Sequence, residues 1–144
     1  MKQFVYRARF EVGAKKGIVV TFPDVPEAIT QGRDAQDARI QAAEALGLAL
    51  LSYPLRDLKL PHPRARASGL VPISPEADVA AKLAVLDGFR DSGMSKSELA
   101  RLLHKDEKEV RRILDPRHPT KLPLLSAALA ALGRRLVVGV EKAA

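Results

Sequence analysis

The sequence predicts an α+β protein made of two small parts, a sheet with one helix in the N-terminal half and a mainly helical C-terminal half. Short apolar runs separated by turn residues fill residues 3–32, which is typical of strands. An alanine-rich helical segment follows, and the proline-rich stretch 54–69 separates it from further helical segments. A chain of 144 residues has room for two small domains, and we predict them at 1–73 and 74–144.

The first predicted domain has the element order β-β-β-α-β. Its first strand alternates apolar and charged residues, with Tyr6, Ala8, Phe10 and Val12 facing a core and Arg7, Arg9 and Glu11 facing solvent. The turn at 13–17 joins this strand to a second one at 18–22, which Pro23 ends. A rigid bend at 24–27 leads to a short third strand at 28–32.

A helix over 35–53 follows, with Asp34 as its N-cap and Pro54 as its end. Small residues on one face would let it approach a sheet closely; they and their apolar neighbours are Ala38, Ala42, Ala45, Leu46, Ala49 and Leu50. Proline and glycine residues interrupt 54–69 too often for a helix or strand, so this stretch is predicted as a loop. Residues 70–73 are predicted as the fourth strand.

The second predicted domain begins with a helix whose N-cap is Ser74 and whose first residue is Pro75. It runs to about residue 91 and ends at Gly93. The expected inward residues are Val79, Leu83 and Leu86.

Residues 94–115 predict two short helices joined by a tight turn, which is a helix-turn-helix. Ser95 and Glu98 form a capping box at the start of the first helix, whose inner face is Leu99, Ala100 and Leu103. Asp106 caps the second helix, whose inner face is Val110, Ile113 and Leu114. His104 occupies the turn position where glycine is common, in a left-handed conformation.

The outer face of the second helix is polar and largely cationic, which suits the major groove of DNA. The predicted base contacts are Glu107, Lys108, Glu109 and Arg112. The predicted phosphate contacts are Lys96, Ser97, Lys105, Arg111, Arg117 and Lys121. The alternative is a solvated helical hairpin within a bundle, with no role in DNA binding.

The last elements are a helix over 122–132, ended by Gly133, and a strand at 136–140. A lone strand leaves an unpaired edge, and the same strand of a second copy would satisfy it. We therefore predict a homodimer or higher oligomer, with Leu136, Val137, Val138 and Val140 as the dimerisation residues. The alternative is a strand that folds back within one chain.

Composition narrows the classes of function. The net charge is +7, and residues 61–144 hold fifteen Lys and Arg against ten Asp and Glu, whereas residues 1–60 hold nine against seven. This excess favours nucleic-acid binding, although solvated surfaces often carry as much. The chain has no cysteine, which excludes disulfides and thiolate metal sites. The early charges exclude a signal peptide, and no segment reaches membrane-spanning length, so we expect a cytoplasmic protein.

Candidate catalytic groups are scattered. Two-metal chemistry requires several carboxylates that converge around paired ions. The predicted carboxylates do not converge: Glu11 faces outward on a strand, Asp24 lies in the bend, and the helix carries Asp34 and Asp37 at its start and Glu44 on its polar side. His62, His104 and His118 have neither metal-ligand spacing nor a nucleophile nearby. We expect no enzyme activity, no metal and no cofactor.

Two groups of motifs resemble the HicB family of antitoxins over nearly the whole chain. The N-terminal group is GIVVTFPDVP at 17–26, TQG at 30–32 and AEAL at 43–46. The C-terminal group is AAKL at 80–83, KSELARL at 96–102 and AALAALGRRLVV at 127–138. The second group alone indicates only a repressor-like domain, but the two together are specific.

The resemblance implies a reduced ribonuclease H-like fold for the N-terminal domain and a HicA-type toxin, a small basic ribonuclease, as its partner. It also implies that the helix-turn-helix binds the operator of its own operon, with nucleoid association when bound. The candidate toxin contacts are Phe22, Pro23, Asp24, Val25, Pro26 and Glu27. Because this half is itself slightly basic, the contact must rest on shape, a strand edge or local acids such as Asp24, Glu27, Asp34 and Asp37.

A different class of protein fits the helix pair equally well, namely a stand-alone transcriptional regulator whose N-terminal domain senses a small molecule. An adjacent gene for a short basic protein with a central histidine would favour the antitoxin.

Overall fold

The computed structural model describes residues 1–143, which pack as two units. The first unit comprises Met1–Tyr53 and Leu60–Glu76, and the second comprises Pro54–Lys59 and Ala77–Ala143. The described residues form one antiparallel sheet of four strands and five helices, which confirms the predicted α+β class. None of these helices combines the length and the apolar character that crossing a bilayer requires.

The sheet of the first unit has the strand order β3-β2-β1-β4. Its strands are β1 (Tyr6–Val12), β2 (Ile18–Thr21), β3 (Ile29–Gly32) and β4 (Val71–Ile73), and all neighbours are antiparallel. The hairpin pairs Phe10 with Val20, and β4 joins the other side of β1 by pairing Ile73 with Tyr6. The predicted order β-β-β-α-β is confirmed, and β3 and β4 are the two edges.

Helix α1 (Ala35–Leu55) supplies small and apolar side chains to the core of the first unit. Its buried residues are Ala38, Ala42, Leu46, Gly47, Ala49 and Leu50. Gly32, at the end of β3, allows the chain to turn tightly into this helix, since a Cβ there would lie 2.3 Å from the Ala38 nitrogen. Val12, expected in the core, is 83% exposed because it lies beside the hairpin turn at the end of the strand.

The predicted end of α1 at Pro54 is wrong by a short margin. Proline keeps a φ compatible with the helix and only lacks the amide proton, so the helix continues to Leu55. Asp57 then donates its amide to the Pro54 carbonyl (3.1 Å) and takes a left-handed φ of 55°, which ends the helix.

The second unit contains α2 (Ala77–Ser92), α3 (Lys96–Leu103), α4 (Glu107–Ile113) and α5 (Leu122–Ala131). Its main cluster joins α2, α4 and α5 through Ala81, Val85, Ile113, Leu125, Ala128 and Leu129. A second cluster joins α3 to α4 through Leu99, Ala100 and Val110. Gly93, at a φ of +67°, separates α2 from α3 as predicted.

One prediction for this unit is wrong. Helix α2 begins at Ala77, so Ser74 and Pro75 lie before it; Pro75 is buried two residues after β4, and Asp78 lies in the first turn.

Within the described residues of this single chain, 136–140 form no strand, so the alternative of a strand that folds back within one chain is wrong. The pairing of this segment with a second copy stays a prediction.

Candidate nucleic-acid interface

The pair α3–α4 is bounded by caps that the sequence predicts. The Ser95 hydroxyl accepts the Glu98 amide at the start of α3 (3.1 Å), and an Asp106 carboxylate oxygen accepts the Glu109 amide at the start of α4 (2.8 Å). Between them His104 has φ 55° and ψ 42°, the left-handed conformation expected at this turn. Both ends of α3 and the start of α4 are therefore encoded locally.

The inner side of the pair is closed by apolar packing. Leu99 and Val110 are fully buried, and Ala100 allows close approach of the helices, with its carbonyl accepting the Lys105 amide (3.0 Å). The remaining surface of α4 faces solvent. Lys108, Glu109, Arg111 and Arg112 are exposed there, and Glu107 begins the helix.

Three of the predicted DNA-contacting residues bind one another. The Ser97 hydroxyl donates to the Glu107 carboxylate, which also pairs with Arg111 one turn further along α4 (3.2 Å). Glu107 therefore links α3 to α4. Lys108, Glu109 and Arg112 take no part in these contacts among Ser97, Glu107 and Arg111, and all three are exposed.

The remaining predicted phosphate contacts lie before and after α4 along the chain. Lys96 and Ser97 lie in the first turn of α3, and Lys105 is half-buried in the turn. Arg117 pairs with Asp115 (3.4 Å) in the segment between α4 and α5. The hydrogen bond from the backbone amide of Arg117 is the main reason why the pKa of the Asp115 carboxyl lies below its usual value. Lys121 is exposed at the start of α5.

The carboxyl end of α4 contacts Lys82 on α2, a residue of the AAKL motif for which the sequence predicted no functional role. Only 4% of its surface is exposed, and its ammonium donates to the Ile113 carbonyl (2.6 Å), the Thr120 hydroxyl (2.7 Å) and the Arg112 carbonyl (3.3 Å). Burial lowers the pKa of Lys82 to about 8, and the Asp115 carboxylate partly offsets this effect. Lys82 lies three residues after Val79 and four before Leu86, on the face of α2 that the sequence predicts to point inward. This spacing was the sequence signal for its burial.

The candidate toxin contacts at 22–27 divide into two sets. Phe22 and Val25 are buried in the core of the first unit, so they support this segment and cannot touch a partner directly. Pro23, Pro26 and Glu27 are exposed.

The four acids proposed for a basic partner all make intramolecular hydrogen bonds. Asp24 accepts the Ala65 amide (2.8 Å), and Glu27 accepts the Tyr53 hydroxyl (2.7 Å). Asp34 caps α1 by accepting the amide of Asp37 (2.8 Å). Asp37 in turn accepts the amide and the guanidinium of the residue that precedes the cap, Arg33 (2.8 and 3.3 Å).

The predicted dimerisation residues are similarly divided. Leu136 packs against the main cluster of its own unit, whereas Val137, Val138 and Val140 are exposed. Arg134 pairs with Asp91 on α2 (3.5 Å), just before this segment begins.

Comparison with known proteins gives a consistent result. No family model matches the chain. The chain is 33% identical to "Antitoxin HicB 1" of Photorhabdus laumondii over 141 residues, covering 98% of this chain and 90% of that protein. It is 34% identical to "Antitoxin HicB" of Escherichia coli K12 over 120 residues, covering 83% and 87%. The chain belongs to the HicB family of antitoxins. "Antitoxin HicB" of Pseudomonas fluorescens is 32% identical over 142 residues.

The similarity to HicB antitoxins extends over both units. An alignment that covers 98% of the chain necessarily includes the sheet with α1 as well as α3 and α4. In this HicB family member, no group of three or more His, Asp or Glu side chains among residues 1–143 could hold a metal ion.

Proposed function

We propose that the chain is an antitoxin that neutralises a cognate HicA-type, mRNA-cleaving toxin through its first unit and represses its own operon through α3 and α4. The names of its relatives support the antitoxin role. The repressor role depends on one observation: Lys108 and Arg112 are exposed one turn apart on α4, while Val110 and Ile113 bury the other side of the helix.

In this proposal α3 and α4 act as a helix-turn-helix, with α4 in the major groove. Arg112 and Lys108 would donate to guanine edges, and Glu109 would accept from cytosine. Glu107 is less suited to base contact because it already binds Ser97 and Arg111, and we assign it to bracing the helix pair. The cations flanking α4 would contact phosphates.

The test is a gel shift of the full chain with a duplex of the DNA immediately upstream of its gene. Arg112→Ala should weaken binding by about 1–3 kcal/mol and relax specificity at one base pair, and Lys108→Ala should weaken it similarly. Lys15→Ala, an exposed cation in the hairpin turn of the first unit, is the matched control. Unchanged affinity in both α4 variants would refute the groove assignment.

For the toxin, the first unit favours contact along the edge strand β3. The acids near the segment 22–27 are already hydrogen-bonded within the chain, and the other edge strand, β4, has Pro72 at its centre. On β3, by contrast, Ile29 is 65% exposed. A toxin strand added to β3 would gain backbone hydrogen bonds as well as apolar burial.

This placement can be tested with two arginine substitutions of comparable exposure. Ile29→Arg should abolish co-purification with the protein encoded by the adjacent gene and should fail to rescue cells that express it. Ile40→Arg, at a position on α1 that is 56% exposed, should leave both properties intact. If only Ile40→Arg lost toxin binding, the toxin interface would lie on α1 and the proposed contact at β3 would be refuted.

We also propose that two copies associate through residues 136–140, which would pair as strands across a two-fold axis. The exposed valines of this segment, which include Val137 and Val138, support the proposal. A dimer would also match the two half-sites of a symmetric operator. Light scattering should show a dimer for the wild type and a monomer for Val138→Asp. Val12→Asp, which replaces an exposed valine of the first unit, should remain dimeric.

The chain is proposed to act by binding alone, in the cytosol where an mRNA-cleaving toxin and an operator are found. Asp24, Asp34 and Asp37 of the first unit serve as a helix cap and hydrogen-bond acceptors, which supports this proposal. RNA incubated with the purified chain and Mg²⁺ or Mn²⁺ should stay intact. Cleavage that persists through further purification would contradict it.

A further inference from the structure

Lys82 is the only charged side chain among the described residues that is buried. A lysine in such a position is uncommon, because removing an ammonium group from water is costly unless it gains hydrogen-bond partners. Here the partners are the last carbonyls of α4, from Arg112 and Ile113, and the hydroxyl of Thr120. The lysine therefore joins three parts of the second unit, α2, α4 and the segment before α5.

The acceptors around Lys82 match the hydrogen-bond donors of its charged form. A protonated ammonium has three donors, which matches the three acceptors around Lys82. A neutral amine has two donors, and its lone pair would face one of these oxygens. The carboxyl end of a helix also carries partial negative charge, which favours a cation there.

We propose that protonated Lys82 is a positioning residue for operator binding, because its ammonium fixes the end of α4 and the segment that carries the phosphate-contacting cations. The backbone of Arg112 is held directly, and Arg117 and Lys121 flank Thr120 along the chain. This inference rests on the proposed repressor function. It adds a group that touches no DNA and sets the geometry of those that do.

The elements that meet the Lys82 ammonium carry further titratable and charged residues. They are Asp78 on α2, Arg112 on α4, and Asp115, Arg117, His118 and Lys121 in the segment between α4 and α5. The Asp115 carboxylate favours the protonated form of Lys82, although it is also paired with Arg117. Burial has the larger effect and lowers the pKa of Lys82 to about 8. The lysine thus titrates within a range where the folded protein can be assayed.

The experiment is a titration of the full chain with the upstream duplex at pH 7 and pH 9, at constant ionic strength. If only the protonated form binds the operator competently, the apparent affinity of the wild type should fall about tenfold between these two values. Lys82→Met, which keeps the aliphatic length without the charge, should bind more weakly at pH 7 and show no such fall. Toxin binding by the same samples should not change with pH.

A milder variant covers the case in which Lys82→Met does not fold. Thr120→Val removes one acceptor of the ammonium, so its loss of affinity should begin at a lower pH than that of the wild type. A wild-type affinity that stays constant from pH 7 to 9, or a Thr120→Val profile identical to that of the wild type, would overturn the inference. Absence of operator binding by the wild type at pH 7 would instead refute the proposed repressor function.

Discussion

The tightest backbone approach in the first unit, at Gly32, gives a sharp test of the packing between β3 and α1. In a Gly32→Ala variant, the new Cβ would lie 2.3 Å from the Ala38 nitrogen, 2.5 Å from its Cα and 2.8 Å from the carbonyl carbon of Asp37. All three atoms belong to the backbone, so no side chain can rotate away. The first turn of α1 and the end of β3 must separate by about 1 Å to reach ordinary contact.

We expect Gly32→Ala to destabilise the first unit by about 1–3 kcal/mol, the usual cost of overpacking. A loss of about 2 kcal/mol corresponds to a decrease in Tm of roughly 8–16 °C for a unit of this size. Intrinsic fluorescence should detect it selectively, because the chain has no tryptophan and its two tyrosines, Tyr6 and Tyr53, both belong to the first unit.

The matched control is Gln36→Ala, at an exposed position in the first turn of α1. Its unfolding curve should match that of the wild type to within about 0.5 kcal/mol. An unchanged or raised urea midpoint for Gly32→Ala would refute the close approach of β3 to α1.

Three further predictions concern the helix pair and two titrating groups. Leu99→Ala removes a fully buried side chain between α3 and α4 and should destabilise the second unit by about 2–5 kcal/mol in urea unfolding followed by circular dichroism. Leu102→Ala, on the exposed side of α3, should have little effect. The pKa of Asp37 is lowered chiefly by the Arg33 amide, so its stabilising contribution should be lost as the pH falls through the folded pKa. In the Asp37→Asn variant, the free energy of unfolding should decrease less steeply as the pH falls through this range. The pKa of Lys82 falls from 10.5 to about 8 on folding, so the unfolded chain binds more protons between these values. Stability should therefore rise by about 3 kcal/mol from pH 8 to 10.5 in the wild type, and Lys82→Met should lack this rise.

The features that the sequence predicts correctly are those encoded over a few residues. Ser95, His104 and Asp106 define both ends of α3 and the start of α4 through their own side chains and backbone preferences. The alternation of apolar and charged residues along β1 likewise gives its buried face, except at Val12, where the strand leaves the core.

The features that the sequence does not predict depend on contacts between distant residues. Lys82 meets its acceptors 30 to 38 positions along the chain, and no local pattern specifies which carbonyls it will find. The burial of Phe22 and Val25 also depends on the whole sheet unit and is not evident from the bend in which they lie. Branched residues at 136–140 favour a strand, but composition alone cannot supply a pairing partner.

The proline at the centre of β4 affects how copies of this protein could assemble. Pro72 has no amide proton to offer a further strand, and β4 has only three residues, so one side of the sheet is a poor template for pairing. Extension of the sheet by a further strand is then favoured only on the β3 side. Continuous fibre growth needs two receptive edges per molecule, and this chain offers one.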